Sequence, residues 1–135
     1  MKILVAYDGS DSGKEALLIA SNYAKKLNST VIVVTSFNTG NMKNQDEIIH
    51  AESNLKYAKS ILEKDKIPCV TQMLIRGPSP GEDIVNFAKE ENVELIVIGL
   101  KKQSKVGKLL MGSVAQYVIL ESRCPVLSVN PTKMV

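Results

Sequence analysis

The chain has 135 residues, enough for one domain with a full core. Its composition is ordinary for a globular protein, 44% hydrophobic and 23% charged, without a low-complexity tract. The formal net charge of +3 is smaller than the clustered excess of nucleic-acid-binding domains, and no apolar run reaches the roughly 18 residues of a membrane span. Lys2 to Tyr7 (KILVAY) predicts a strand that starts at once. No signal peptide is therefore expected, and the expected location is the cytoplasm. The polar turn Asp8-Gly9-Ser10-Asp11-Ser12 follows, in which Asp11 or Ser12 can cap a helix. That helix is marked by Ala16, Leu17, Ile19, Ala20, Tyr23, Ala24 and Leu27 and ended by Asn28 and Ser29.

Thr30 to Phe37 (TVIVVTSF) is nearly all β-branched, the pattern of a strand buried on both faces. Asn38 to Asn44 predicts a loop, and Ile48, Ala51, Leu55, Ala58, Ile61 and Leu62 mark a second amphipathic helix. Pro68 stops it. Cys69 to Ile75 (CVTQMLI) alternates in polarity and predicts a third strand nearer an edge. Arg76 to Gly81 is a turn whose prolines pre-set a helix with Ile84, Val85, Phe87 and Ala88 inward. Val93 to Ile98 gives the fourth strand, ending at Gly99. After a lysine-rich loop, Ser113 to Leu120 reads as a helix and Val126 to Val129 as a short last strand.

Alternating strands and helices require right-handed crossovers, so one α/β domain over residues 1–135 is expected, an open parallel sheet with helices on both faces. In the order 3-2-1-4-5 the winding reverses between strands one and four, and ligands bind over the carboxyl ends there. The same order puts Cys69 and Cys124 at opposite edges, roughly 19 Å apart by four strand spacings of about 4.8 Å. A disulfide spans at most about 7 Å between Cα atoms, so both thiols are expected to be free.

The crevice would be built by Asp8 and by the segment from Gly99 to Ser113. Several chemistries lack their residues. His50 is the single histidine, placed among polar neighbours, so a histidine-based triad has no second member and no metal site is indicated. The turn after strand one is not Gly-x-Gly-x-x-Gly, and a P-loop around Gly107-Lys108 fails because Lys102 and Leu109 stand where glycine and Ser or Thr are needed. A phospho-acceptor aspartate is missing after strand three. Leu74-Ile75-Arg76 stands in its place. What the sequence does carry is a fourth strand ending on Gly99, then Lys101, Lys102, Lys105 and Lys108, then Gly112-Ser113 opening a helix. Free N–H groups and the positive dipole end at a helix start favour phosphate oxygens, Ser113 adds a hydroxyl, and Asp8 can accept from ribose hydroxyls. The same residues have a plain structural reading: Gly-Ser is a common cap, loop lysines are usually solvated, and Asp8 can cap its own turn.

The segments ILVAYDGSDSGKEAL, RGPSPGEDIVNFAKE, VELIVIG, GKLLMGSVAQYVI and CPVLSV, in this order over nearly the whole chain, resemble the universal stress protein A family. The resemblance implies a Rossmann-like sheet of order 3-2-1-4-5 (like that of the adenine nucleotide α-hydrolases) and a homodimer through the last strand, Val126–Val129. The ATP-binding group of that family carries Gly, two residues, Gly, nine residues, then Gly followed by Ser or Thr. Gly99 and Gly112-Ser113 match with the right spacing, while Lys102 replaces the second glycine. Its side chain would either crowd the phosphates or contact them. Asp8 matches the family's nucleotide-contacting aspartate, and the adenine-contacting backbone positions fall near Ala6 and Ser36. The candidate nucleotide-binding set is therefore Ala6, Asp8, Ser36, Gly99, Lys102, Gly112, Ser113 and Val114, for ATP or a related adenine nucleotide, with Mg²⁺ as a companion ion. Two function classes follow: a nucleotide-binding stress-response module with at most very slow ATP hydrolysis, or a dimeric interaction module with a degenerate pocket.

Overall fold

The computed structural model of the chain describes residues 1–37, 45–75, 77, 79–100 and 112–130. The elements, in chain order, are β1 (Lys2–Ala6), α1 (Asp11–Leu27), β2 (Thr30–Ser36), α2 (Gln45–Lys64), β3 (Cys69–Leu74), α3 (Pro80–Glu90), β4 (Leu95–Gly99), α4 (Ser113–Glu121) and β5 (Val126–Val129). The five strands form one sheet in the order β3-β2-β1-β4-β5, and all four pairings are parallel. The crossovers imply the parallel sheet, and the order is the one that the resemblance implies.

Strand alternation splits the core into two layers. Ile3, Val5, Val31, Val33 and Val97 face α1 and α2, where Leu17, Ala20, Leu55, Ala58 and Leu62 meet them. Leu4, Ile32, Val34, Ile96 and Ile98 face α3 and α4 and pack on Ile84, Phe87, Ala115 and Val118. The central strands are buried on both sides because helices cover both sides. β3 lies at an edge, with Val70 half-exposed, in keeping with its alternating polarity. Cys69 and Cys124 are free and half-buried, towards opposite edges of the sheet. Among the described residues no helix is long and apolar enough to cross a membrane.

The strands β1, β2 and β3 each end one residue earlier than the sequence predicts, at Ala6, Ser36 and Leu74, and α4 runs one residue further, to Glu121. Two other boundaries differ for a structural reason. Ser10, rather than Asp11 or Ser12, caps α1: its backbone is extended and its side chain accepts from Gly13 N. Asp11 then falls in the first turn, where its charge suits the helix dipole. The fourth strand starts at Leu95 rather than Val93, because Val93 belongs to the end of α3. Asn92 is left-handed (φ 56°), Val93 N donates to Ala88 O at 2.9 Å and Asn92 N to Lys89 O at 3.2 Å. These two bonds close the helix in a Schellman motif. Sheet pairing begins only with Glu94 N, which donates to Lys2 O.

Candidate functional site

A cavity of about 200 Å³ opens over the carboxyl ends of β1, β2 and β4. It sits at the reversal of winding, where an open α/β sheet leaves a crevice. Of the eight candidate residues, Ala6, Asp8, Ser36, Gly99, Gly112, Ser113 and Val114 all line it. Lys102 lies outside the described residues, as do Lys101, Lys105, Lys108 and the loop from Asn38 to Asn44.

The β1 side is rigidly built. Gly9 makes the turn after the strand with φ 82°, a conformation that side-chain-bearing residues rarely adopt. Asp8 Oδ1 accepts from Ser10 N at 2.9 Å and from Ser10 Oγ at 2.6 Å, while Ser10 Oγ accepts from Gly13 N at 3.1 Å. Gly13 leaves room for this carboxylate, since a Cβ there would lie 2.9 Å from Asp8 Oδ1. The structural reading of Asp8 is therefore correct for one oxygen. Oδ2 takes no hydrogen bond from the described residues, and the side chain is exposed at the pocket.

The β4 side differs. Gly112 is the residue before α4, with extended backbone (φ −62°, ψ 157°), and no side chain caps the helix. α1 and α3, by contrast, are capped by Ser10 and Ser79. Gln116 N donates to Gly112 O, which leaves the N–H groups of Ser113, Val114 and Ala115 as the first-turn donors without an intrahelical partner. All three residues line the cavity. The starts of α1 and α4 thus both border the site, with the Ser79-capped start of α3 beside them at Pro80. A protein carboxylate already serves the start of α1, and nothing from the described side chains serves the start of α4.

The rest of the wall was not anticipated from the sequence. Val34, Pro80, Ile84 and Ile98 make it largely apolar. Pro80 and Ile84 are read from sequence only as a helix start and a core position. Their place at the site follows from topology, because every loop from a strand into its helix leaves the same end of a parallel sheet. Thr35 and Tyr7 also line the cavity, tied together by Thr35 Oγ1 donating to Tyr7 O at 2.8 Å. The Tyr7 phenol is pushed up to about 12 by burial first, then by Tyr57 and Asp8. At neutral pH it is protonated and is no nucleophile. His50 is exposed on α2, as its polar neighbours imply.

With this geometry in view, the comparisons with known proteins are consistent. The profile of the universal stress protein family matches residues 1–130. A universal stress protein of Methanocaldococcus jannaschii is 32% identical over 98% of this chain and 83% of its own length. A solved structure of a universal stress protein from Archaeoglobus fulgidus superposes with a TM-score of 0.88 at 39% identity, covering 96% of this chain and 98% of the other. A second Archaeoglobus fulgidus structure, of the universal stress protein in complex with dAMP, gives a TM-score of 0.80 at 35% identity, over 96% and 97% of the two chains.

Proposed function

The chain belongs to the universal stress protein family, and from that premise we propose that it is a stress-response module that binds an adenine nucleotide in the crevice above β1 and β4. The observation that carries this reading is the uncapped start of α4, whose donors border the same cavity as the free oxygen of Asp8. Phosphate oxygens satisfy such donors and the positive end of the helix dipole. A ribose hydroxyl then donates to Asp8 Oδ2, and the base packs on the apolar wall. The dAMP complex of the 35%-identical relative supports the ligand class.

Among the described residues no three His, Cys, Asp or Glu side chains cluster as a metal site. Mg²⁺ accompanying ATP would therefore be held through the phosphates rather than by a protein cage. Binding rather than turnover is the proposed activity, exercised in the cytoplasm. Isothermal titration of the purified protein with AMP, dAMP, ADP and ATP tests the reading. Saturable binding is expected. No heat from any of them at millimolar nucleotide would leave the second class, an interaction module with a degenerate pocket.

The homodimer is proposed through β5. This strand is at the edge of the sheet and carries no charge that would blunt it. A groove beside it, between β5 and α1, has mixed walls: Ile19, Tyr23, Leu127 and Val129 alternate with Asn22, Lys26, Ser128 and Asn130. Antiparallel pairing of two such edges about a two-fold axis is self-complementary.

A further inference from the structure

Asp8 lies just beyond the sheet. Tyr7 N still donates to Val34 O at 2.9 Å, whereas the turn that follows is held by side chains. Ser10 holds the Asp8 carboxylate, and α2 holds the backbone. Asn54 Nδ2 donates to Asp8 O at 3.5 Å, the long end for a hydrogen bond. The same amide presses on Gly9, where a Cβ would come within 2.6 Å of Nδ2 and 2.8 Å of Cγ. Glycine thus serves twice at this position, for its positive φ and for the space that Asn54 occupies.

A second contact secures the same helix against the same connection. Tyr57 follows Asn54 by three residues, on the same side of α2, and Lys14 Nζ lies 5.5 Å from the centre of its ring. Lys14 is in the first turn of α1, where its N–H donates to Ser10 O at 2.9 Å. α2 therefore grips the link from β1 to α1 at both ends. A groove connects the helix with the site: Asp8, Thr35 and Ser36 border both it and the nucleotide cavity, and His50, Ala51 and Asn54 form its α2 wall. A binding side chain presents its atoms well only when a supporting shell locks it to within about 0.5 Å. Asn54 is placed to supply that support to Asp8 without touching the ligand.

Resting on the nucleotide reading, we infer that Asn54 is a positioning residue of the site: by holding the Asp8–Gly9 peptide it aims Asp8 Oδ2 at the ribose hydroxyls. The test is calorimetric titration with AMP and with 2′,3′-dideoxyadenosine 5′-monophosphate, which lacks those hydroxyls. Wild type should prefer AMP. Asn54→Ala should weaken AMP binding about fivefold, the loss of one neutral hydrogen bond, and leave the dideoxy analogue unchanged. Its melting temperature should stay level with wild type, because alanine is the better helix former. In an Asp8→Asn background the same substitution should cost nothing further, since residues that act through one contact are not additive. Equal weakening of both ligands marks a merely structural effect and overturns the positioning role. An unchanged AMP affinity, or a full second loss in the Asp8→Asn background, overturns it as well, and each of these leaves the nucleotide site standing. Failure of the wild type to bind AMP overturns both.

Discussion

A Cβ placed on Gly99 would lie 2.6 Å from both the carbonyl carbon and the carbonyl oxygen of Ser12. The obstruction is backbone, with Gly13 N at 2.9 Å beside it, so no side chain can swing away to relieve it. β4 ends on glycine because the first turn of α1 rests against it. Gly99 matches the first glycine of the family's nucleotide motif, but the packing of this chain already requires it. The same contact fixes the position of Asp8, which is bonded to the cap of α1.

Gly99→Ala should therefore destabilise the protein by about 1–3 kcal/mol, the usual range for overpacking. It should weaken nucleotide binding at the same time, through displacement of α1. Urea denaturation and calorimetry read the two effects. A variant as stable as wild type would show that the strand end and the helix start are not tightly packed.

Asp8 has one oxygen for structure and one for the ligand, and the two are separable. Asp8→Asn keeps an acceptor for Ser10 N and Ser10 Oγ and replaces the free oxygen with an amide N–H. Its stability should stay within about 0.5 kcal/mol of wild type, while affinity for AMP drops tenfold or more. Asp8→Ala loses both oxygens, so it should also lose about 1 kcal/mol of stability, as helix caps and turn bonds do. If the asparagine variant binds AMP as wild type does, Asp8 is only a turn residue.

Ser113 allows the helix start to be tested without breaking the helix. Proline is well tolerated at the first helical position, and Gly112 already has the extended backbone that a residue before proline needs. Ser113→Pro should leave stability unchanged and lower affinity for AMP by about tenfold, because one backbone donor and the hydroxyl are both removed. Adenosine, which has no phosphate, should bind both proteins equally. Ser113→Ala should fall between them for AMP. Loss of adenosine binding in the proline variant would place the phosphate elsewhere.

The sequence reveals the fold well because local signals agree with the tertiary arrangement. Thr30 to Ser36 is β-branched and doubly buried, Cys69 to Leu74 alternates and lies at an edge, and Asn28 ends α1 in a left-handed conformation of φ 52°. The start of β4 is less legible, because Val93 has strand propensity while its N–H is used to close α3. At the site, Asp8, Gly99 and Gly112-Ser113 are legible from motif spacing and from the winding rule. The cavity walls at Ile84 and Ile98 are not, since an apolar residue on a helix or strand looks the same whether it faces core or crevice. The contact of Asn54 with Asp8 and Gly9 is a property of three-dimensional packing and leaves no mark in the sequence.

The dimer proposal makes a prediction about two adjacent backbone donors. Ile96 N donates to Pro125 O at 3.0 Å and Leu100 N donates to Val129 O at 2.8 Å. In a parallel ladder the direction of the N–H groups alternates along the strand. The registers Val97–Leu127 and Ile98–Ser128 then turn the Leu127 donor towards β4 and the Ser128 donor to the open side. Proline is tolerated on an edge strand where its missing N–H faces away from the sheet. Ser128→Pro should keep the folded monomer and shift the protein from dimer to monomer, seen by light scattering at tens of micromolar. Leu127→Pro removes a ladder bond to β4 and should instead lower stability by about 3 kcal/mol or more. A wild-type protein that is monomeric under those conditions, or a Ser128→Pro variant that stays dimeric, would exclude pairing through β5.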